Sequence, residues 1–269
     1  MTASVTVEFL GTRGAFPLNL PETQWLGTET SAIRVQTGSR CLYLDAGTGL
    51  NRVEPSIQDD VILLSHFHYD HVLGLPYFLM RKQTGTVRLI SHCAESQADF
   101  EKKLESVFGG IGFPVALQEI YADLSLEYLP DHETKQVNDF EVQACALNHP
   151  GGASGYRLTH PESGVVICHL LDHECGTEVD TTLIRFAHNA DLIVFDGCYD
   201  NTEYACYQGY GHSTIEHGRQ FRMDAGAKRV ALSGHSMERL DQNAQALGRQ
   251  LDASCELLAR DGLMLELPQ

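Results

Sequence analysis

The chain has 269 residues, 43% of them apolar, enough to bury a full core in one large domain or two small ones. Its 36 acidic and 19 basic side chains give a formal net charge of −17. That argues against a long polyanionic partner such as a duplex or tRNA, because gripping one needs a basic stripe that displaces counterions. A small phosphate ester held through metals is not excluded. No apolar run approaches a membrane span. The eight cysteines form no CxxC pair, and Met1-Thr2-Ala3-Ser4 leads straight into a strand rather than a signal peptide. We therefore expect reduced thiols and a cytoplasmic protein.

In chain order, Val5, Val7 and Phe9 alternate with Thr6 and Glu8, which predicts a strand. Residues 17–27 hold two prolines and the only tryptophan, Trp25, and read as a long loop: a surface connection or an active-site wall. Residues 31–36 and 41–44 read as a hairpin ending in Asp45-Ala46-Gly47. Residues 61–64 form a buried strand, followed by His66, His68, Asp70 and His71, then Gly74 and a helix. His66 and His68 are two apart, so beyond a strand end their rings can point the same way and chelate one ion. Asp70 and His71 point differently and can serve a second ion. Imidazole with carboxylate suits zinc, manganese or iron.

Further on, a strand is predicted at 87–91 and an amphipathic helix at 95–108. Strands follow at 124–129 and 140–147, the latter running into His149-Pro150. A hairpin over 156–159 and 165–170 ends at Asp172-His173. His169, inside that strand, reads as a core residue, and His173 as a weaker ligand candidate than Asp172. After a helix at 181–189, the strand 192–195 ends in Asp196. Gly211-His212-Ser213-Thr214 opens a helix running to Ala225, with Ser213 or Thr214 as its N-cap. The strand 228–232 leads to Ser233-Gly234-His235. A helix over 238–251 and a hairpin over 257–267, turning at Arg260-Asp261-Gly262, complete the chain.

The run His66-Phe67-His68-Tyr69-Asp70-His71 resembles the HxHxDH signature of the metallo-β-lactamase-fold hydrolases. The resemblance implies an α/β fold, a four-layer αββα sandwich formed by residues 1–269 as a single domain. It implies two divalent metal ions, zinc first, with manganese or iron also suited. His66, His68 and His149 would hold one ion, and Asp70, His71 and His235 the other, with Asp172 bridging and Asp45 beneath the site. Gly211-His212-Ser213-Thr214 resembles the HST motif of the tRNase Z-type phosphodiesterases. There an acidic partner, here Asp196, orients the histidine as general acid, and the counterpart of Asp70 also orients the attacking water.

Two departures stand out. The chain has no long Gly/Pro-rich basic arm of the kind tRNase Z uses to grip tRNA. Ser233-Gly234-His235 stands where many relatives carry two consecutive histidines. The expectation is a dinuclear metal-dependent hydrolase, a phosphodiesterase on a small-molecule phosphodiester such as a cyclic nucleotide, with no long nucleic acid and no membrane as partner. A homodimer is implied by the resemblance alone. The alternatives are a hydrolase of an acyl bond (lactone, thioester or β-lactam) and a non-catalytic metal-binding accessory protein.

Overall fold

In a computed structural model describing residues 4–267, the alternation of Val5–Gly11 (β1) turns Val5, Val7 and Phe9 inward. The stretch Met1-Thr2-Ala3 lies outside the described residues. The hairpin β2 (Ala32–Thr37) and β3 (Arg40–Leu44) is followed by β4 (Asp60–Leu64), buried at every position. Such an unbroken apolar run belongs to a strand covered on both faces. The helices α1 (Tyr69–Val72) and α2 (Leu75–Arg81) precede β5 (Val87–Ser91). Then come α3 (Gln97–Val107), α4 (Leu117–Ile120) and β6 (Leu124–Tyr128).

The second half runs β7 (Lys135–Val137), β8 (Phe140–Leu147), β9 (Ala153–Thr159), β10 (Val166–Leu170), α5 (Val179–Phe186) and β11 (Leu192–Asp196). It continues with α6 (Asn201–Tyr207), α7 (Ile215–Asp224), β12 (Val230–Ser233), α8 (Asp241–Gly248), β13 (Glu256–Leu258) and β14 (Met264–Leu267). Among the described residues two seven-stranded sheets result, in the orders β14-β1-β2-β3-β4-β5-β6 and β13-β12-β11-β10-β9-β8-β7. Their inner faces share one core, where Val7, Val35 and Leu63 meet Val142, Ile167 and Val194. The outer faces bury α2 and α3 on one side, through Phe78 and Phe100, and α5 and α7 on the other, through Leu183 and Phe221. This is the αββα sandwich.

The terminal hairpin expected over 257–267 does not form. β13 pairs in parallel with β12, whereas β14 pairs antiparallel with β1 in the other sheet. Arg260-Asp261-Gly262 carries the chain between sheets. The buried Asp261 carboxylate fixes the crossing by accepting from Thr12 Oγ1 at 3.1 Å and from the Thr28 and Glu29 amides at 2.9 and 3.0 Å. A turn signal marks a change of direction but not which sheet receives the next strand.

β10 to β13 run parallel, as do β3 to β6, so their carboxyl ends line one edge of each sheet, where open α/β folds place ligands. At that edge the sheets are tied directly. The Ser154 amide donates to Ser65 O at 2.9 Å, and the Tyr156 hydroxyl to Leu64 O at 2.6 Å.

Away from the edge, Lys82 Nζ meets Asp60 Oδ2 at 2.7 Å with both side chains fully buried, and it donates further to Ser56 O at 2.8 Å. Lys82→Met leaves the Asp60 carboxylate unpaired, which is expected to cost about 3–5 kcal/mol in denaturant unfolding. Among the described residues no helix is long and apolar enough to cross a membrane.

Candidate metal centre

The β4 edge delivers His66, His68, Asp70 and His71. The turn after β3 supports them from below. Asp45 takes φ +62, a left-handed conformation that aspartate tolerates better than most residues. Its Oδ1 accepts from the Ser65 amide and its Oδ2 from His71 Nδ1, each at 2.8 Å. The second bond fixes the tautomer, so His71 turns Nε2 into the site. The next turn packs too closely for any side chain at Gly47, where a Cβ would stand 2.1 Å from Asp70 O. Asp45→Asn keeps one acceptor for two donors, so its NH2 must face either His71 Nδ1–H or the Ser65 amide. It is expected to weaken metal binding about 10- to 100-fold in a competition titration with a chromogenic chelator.

His149 comes from the end of β8. Its Nδ1–H donates to Gly211 O at 2.9 Å, leaving Nε2 3.1 Å from His68 Nδ1 and 3.5 Å from Asp172 Oδ2. Asp172, two residues past β10, has φ +59 and is 3% exposed. It stands between the histidines, with Oδ2 3.6 Å from His66 Nε2 and Oδ1 3.4 Å from His71 Nε2. His66, His68, His149 and Asp172 therefore bring one donor atom each to within 4.8 Å of one another, and so do Asp70, His71 and Asp172.

The donors fit divalent cations. The buried Nε2 atoms of His66 and His71 have no hydrogen-bond partner, a cost of about 1–3 kcal/mol each unless something else engages them. Three carboxylates, Asp172, Asp45 and Asp70, crowd His71. Burial works against a proton there, yet they hold its imidazole well above the usual histidine range. Buried negative charge of this kind calls for a positive ion, and imidazole with carboxylate suits a divalent metal.

The HST segment lies beside this cluster. Asp196 ends β11. Its Oδ2 accepts from His212 Nδ1 at 2.7 Å and its Oδ1 from the Ser213 amide at 3.1 Å. Thr214 is the N-cap of α7, accepting from the His217 amide at 3.1 Å. The ring of His212 is 5.2 Å from that of His149. Both line a cleft of about 500 Å³ with His68, Asp70 and Asp172, rimmed by Phe16, Tyr69 and Tyr210. Burial opposes protonation of His212, but Asp196 and Asp172 raise its pKa to about 9.

His235 departs from the expected ligand set. It is fully buried, its Nε2 lies 2.7 Å from Ala259 O, and its Nδ1 lies 3.1 Å from the Arg239 guanidinium. Both ring nitrogens are engaged, and His235 joins none of the clusters found among the described residues. His173 is also occupied, between the Asn148 amide and Asp180. His169 is fully buried as expected of a core residue; neither ring nitrogen has a hydrogen-bond partner, and Nε2 lies 3.6 Å from Asp45 Oδ2.

Sequence reasoning missed three supports. The Ala15 amide donates to Asp70 Oδ2 at 2.8 Å. Glu174 accepts from the Gly209 and Gly211 amides at 2.6 and 2.8 Å, anchoring the loop that carries His212. Arg239 immobilises His235. No motif spacing marks these residues, since each acts through a long-range contact.

Fold and donor set together define a metal-dependent hydrolase built around divalent ions. Residues 40–235 match the family model of the beta-lactamase superfamily domain, and the chain belongs to that superfamily. Among curated proteins it is similar to a ribonuclease Z of Halobacterium salinarum, at 24% identity over 100% of this chain and 98% of that protein. Among solved structures it is similar to the metallo-beta-lactamase fold protein YhfI of Bacillus subtilis, with TM-score 0.75, 16% identity, and coverage of 98% and 99% of the two chains. It is also similar to the short form of human tRNase Z, with TM-score 0.70, 20% identity, and coverage of 98% and 100%.

These relatives overturn the exclusion of a long nucleic acid drawn from net charge. A net charge of −17 sums the whole chain, whereas a phosphate responds to the local field, which cations bound in the cleft would dominate.

Proposed function

We propose that the protein is a phosphodiesterase that uses a pair of divalent ions, zinc foremost, with Asp70 orienting the attacking water and His212 protonating the leaving oxygen. The observation that carries this reading is the Asp196–His212 pair, 2.7 Å apart, beside the cluster that shares Asp172. An alkoxide leaving a phosphorus centre gains from a proton at the moment of departure, and Asp196 holds His212 where it can give one. When bound, the ions supply a hydroxide at neutral pH and stabilise charge on the phosphoryl oxygens.

The chain's own residues do the rest. Asp45 and Gly211 O fix the tautomers of His71 and His149. Asp70, held by the Ala15 amide, keeps one carboxylate edge for a water. Asp196 fixes Nδ1–H of His212 and leaves Nε2 as the proton donor. A small diester such as a cyclic nucleotide and a diester within RNA present the same reacting centre to this cleft.

The test is hydrolysis of bis(p-nitrophenyl) phosphate, a 2′,3′-cyclic nucleotide and a precursor RNA by protein loaded with zinc or manganese. Turnover of at least one diester is expected. Turnover of a lactone or thioester with none of the diesters would sink the proposal.

A further inference from the structure

The donors are shared unequally between the two metal positions. His66, His68, His149 and Asp172 make one group of four, whereas Asp70, His71 and the same Asp172 make a group of three. The missing member is the histidine expected from the end of β12. Arginine carries donors only, so His235 Nδ1 must accept from Arg239, and Nε2 must bear the proton given to Ala259 O. No lone pair remains for a cation.

The arrangement is not loose. Arg239 is 2% exposed and donates to Gly197 O as well. An ion drawn toward His235 would meet the guanidinium charge. Gly234, one residue earlier at φ +72, offers no side chain. His212 does not fill the gap, because it groups with Asp172 and Asp196, not with Asp70 and His71, and its Nδ1 is taken by Asp196 at 2.7 Å.

We propose that this protein binds its two ions unequally: one firmly, by His66, His68, His149 and Asp172, and one exchangeably, by Asp70, His71 and the shared Asp172, with His235 outside both. The inference rests on the reading of the cluster as a two-metal centre. It makes occupancy of the second position a function of metal supply, and it leaves more of that ion's coordination to water or substrate.

The experiment is a zinc titration of chelator-stripped protein by calorimetry, with metal analysis after desalting and no substrate present. One equivalent is expected to survive desalting. The second should bind at least about 10- to 100-fold more weakly, the range that loss of a single supporting group produces. His71→Ala should remove the weak equivalent and keep the firm one, and His149→Ala should weaken the firm one. His235→Gln, whose amide can still meet Arg239 and Ala259 O, should keep both.

Two equivalents of equal affinity, or loss of one in a folded His235→Gln, would overturn the proposal. If that variant does not fold, nitrogen-15 spectra of the wild type decide the matter. The imidazole resonances of the four ligand histidines should move as zinc is added, while those of His235 stay in place, and a zinc-dependent His235 shift of ligand size refutes the inference. Because no substrate is used, equal binding with diester turnover would sink this inference alone. Unequal binding without turnover would sink the phosphodiesterase reading alone.

Discussion

Asp172→Asn should leave the fold intact and remove both ions and the activity. Asparagine has nearly the same volume and also tolerates the left-handed backbone, φ +59, that Asp172 adopts. Only the charge changes, and it changes where three of the four candidate clusters meet: Asp172 belongs to the group of four, to the group with Asp70 and His71 and to the group with His212, and is absent only from the cluster of His173, Cys175 and Asp180. Losing the metal forfeits several kcal/mol of charge stabilisation on the phosphoryl group, about 10³-fold or more in kcat/KM. The metal-free variant should melt somewhat lower than metal-free wild type at neutral pH, because burial works against the Asp172 charge but His71 and His212 hold its carboxyl well below the usual carboxylate range, and the amide forfeits that attraction. Metal analysis, the rate on bis(p-nitrophenyl) phosphate and a melting curve check all three. A variant that kept both equivalents and a tenth of the rate would exclude Asp172 as the shared ligand.

His212→Ala should divide substrates by leaving group. With a cyclic nucleotide the leaving oxygen is an alkoxide, and loss of a positioned acid is expected to cost about 10²–10⁴-fold in kcat. With bis(p-nitrophenyl) phosphate the departing phenolate needs little proton, so the loss should be far smaller. Metal content should not change, since His212 stands outside both metal groups. Asp196→Asn should reproduce the pattern in weaker form, because the carboxylate orients His212 through Nδ1 and acts on the reaction only through that histidine. Equal losses on both substrates would mean that His212 holds the site together rather than delivers a proton. No loss on either would remove the main argument for phosphodiester chemistry.

Much was legible because local patterns report local physics. Strict alternation in Val5–Phe9 and the unbroken run Val61–Leu64 announce one half-buried and one fully buried strand, and both formed. The terminal segment was misread as a hairpin because its turn signal is as good for a crossing between sheets. The exclusion of long nucleic acids failed for a related reason. Net charge is a property of the composition, and binding depends on where charge sits.

By itself, the sequence determined the fold and placed most of the candidate donors beyond strand ends. Strand ends at Leu64, Leu147, Leu170 and Asp196 are written in apolar periodicity, and imidazoles and carboxylates placed just beyond parallel strands must gather at one edge. Tertiary structure alone decided which nitrogen each imidazole presents and which histidine is withheld. His71 aims Nε2 into the site because Asp45, 26 residues away, takes Nδ1. His235 has the residue type and position of a ligand, yet the guanidinium of Arg239 and the carbonyl of Ala259 occupy both its nitrogens. A side chain's chemistry is set by its residue type, but its free valences are set by whatever folds against it.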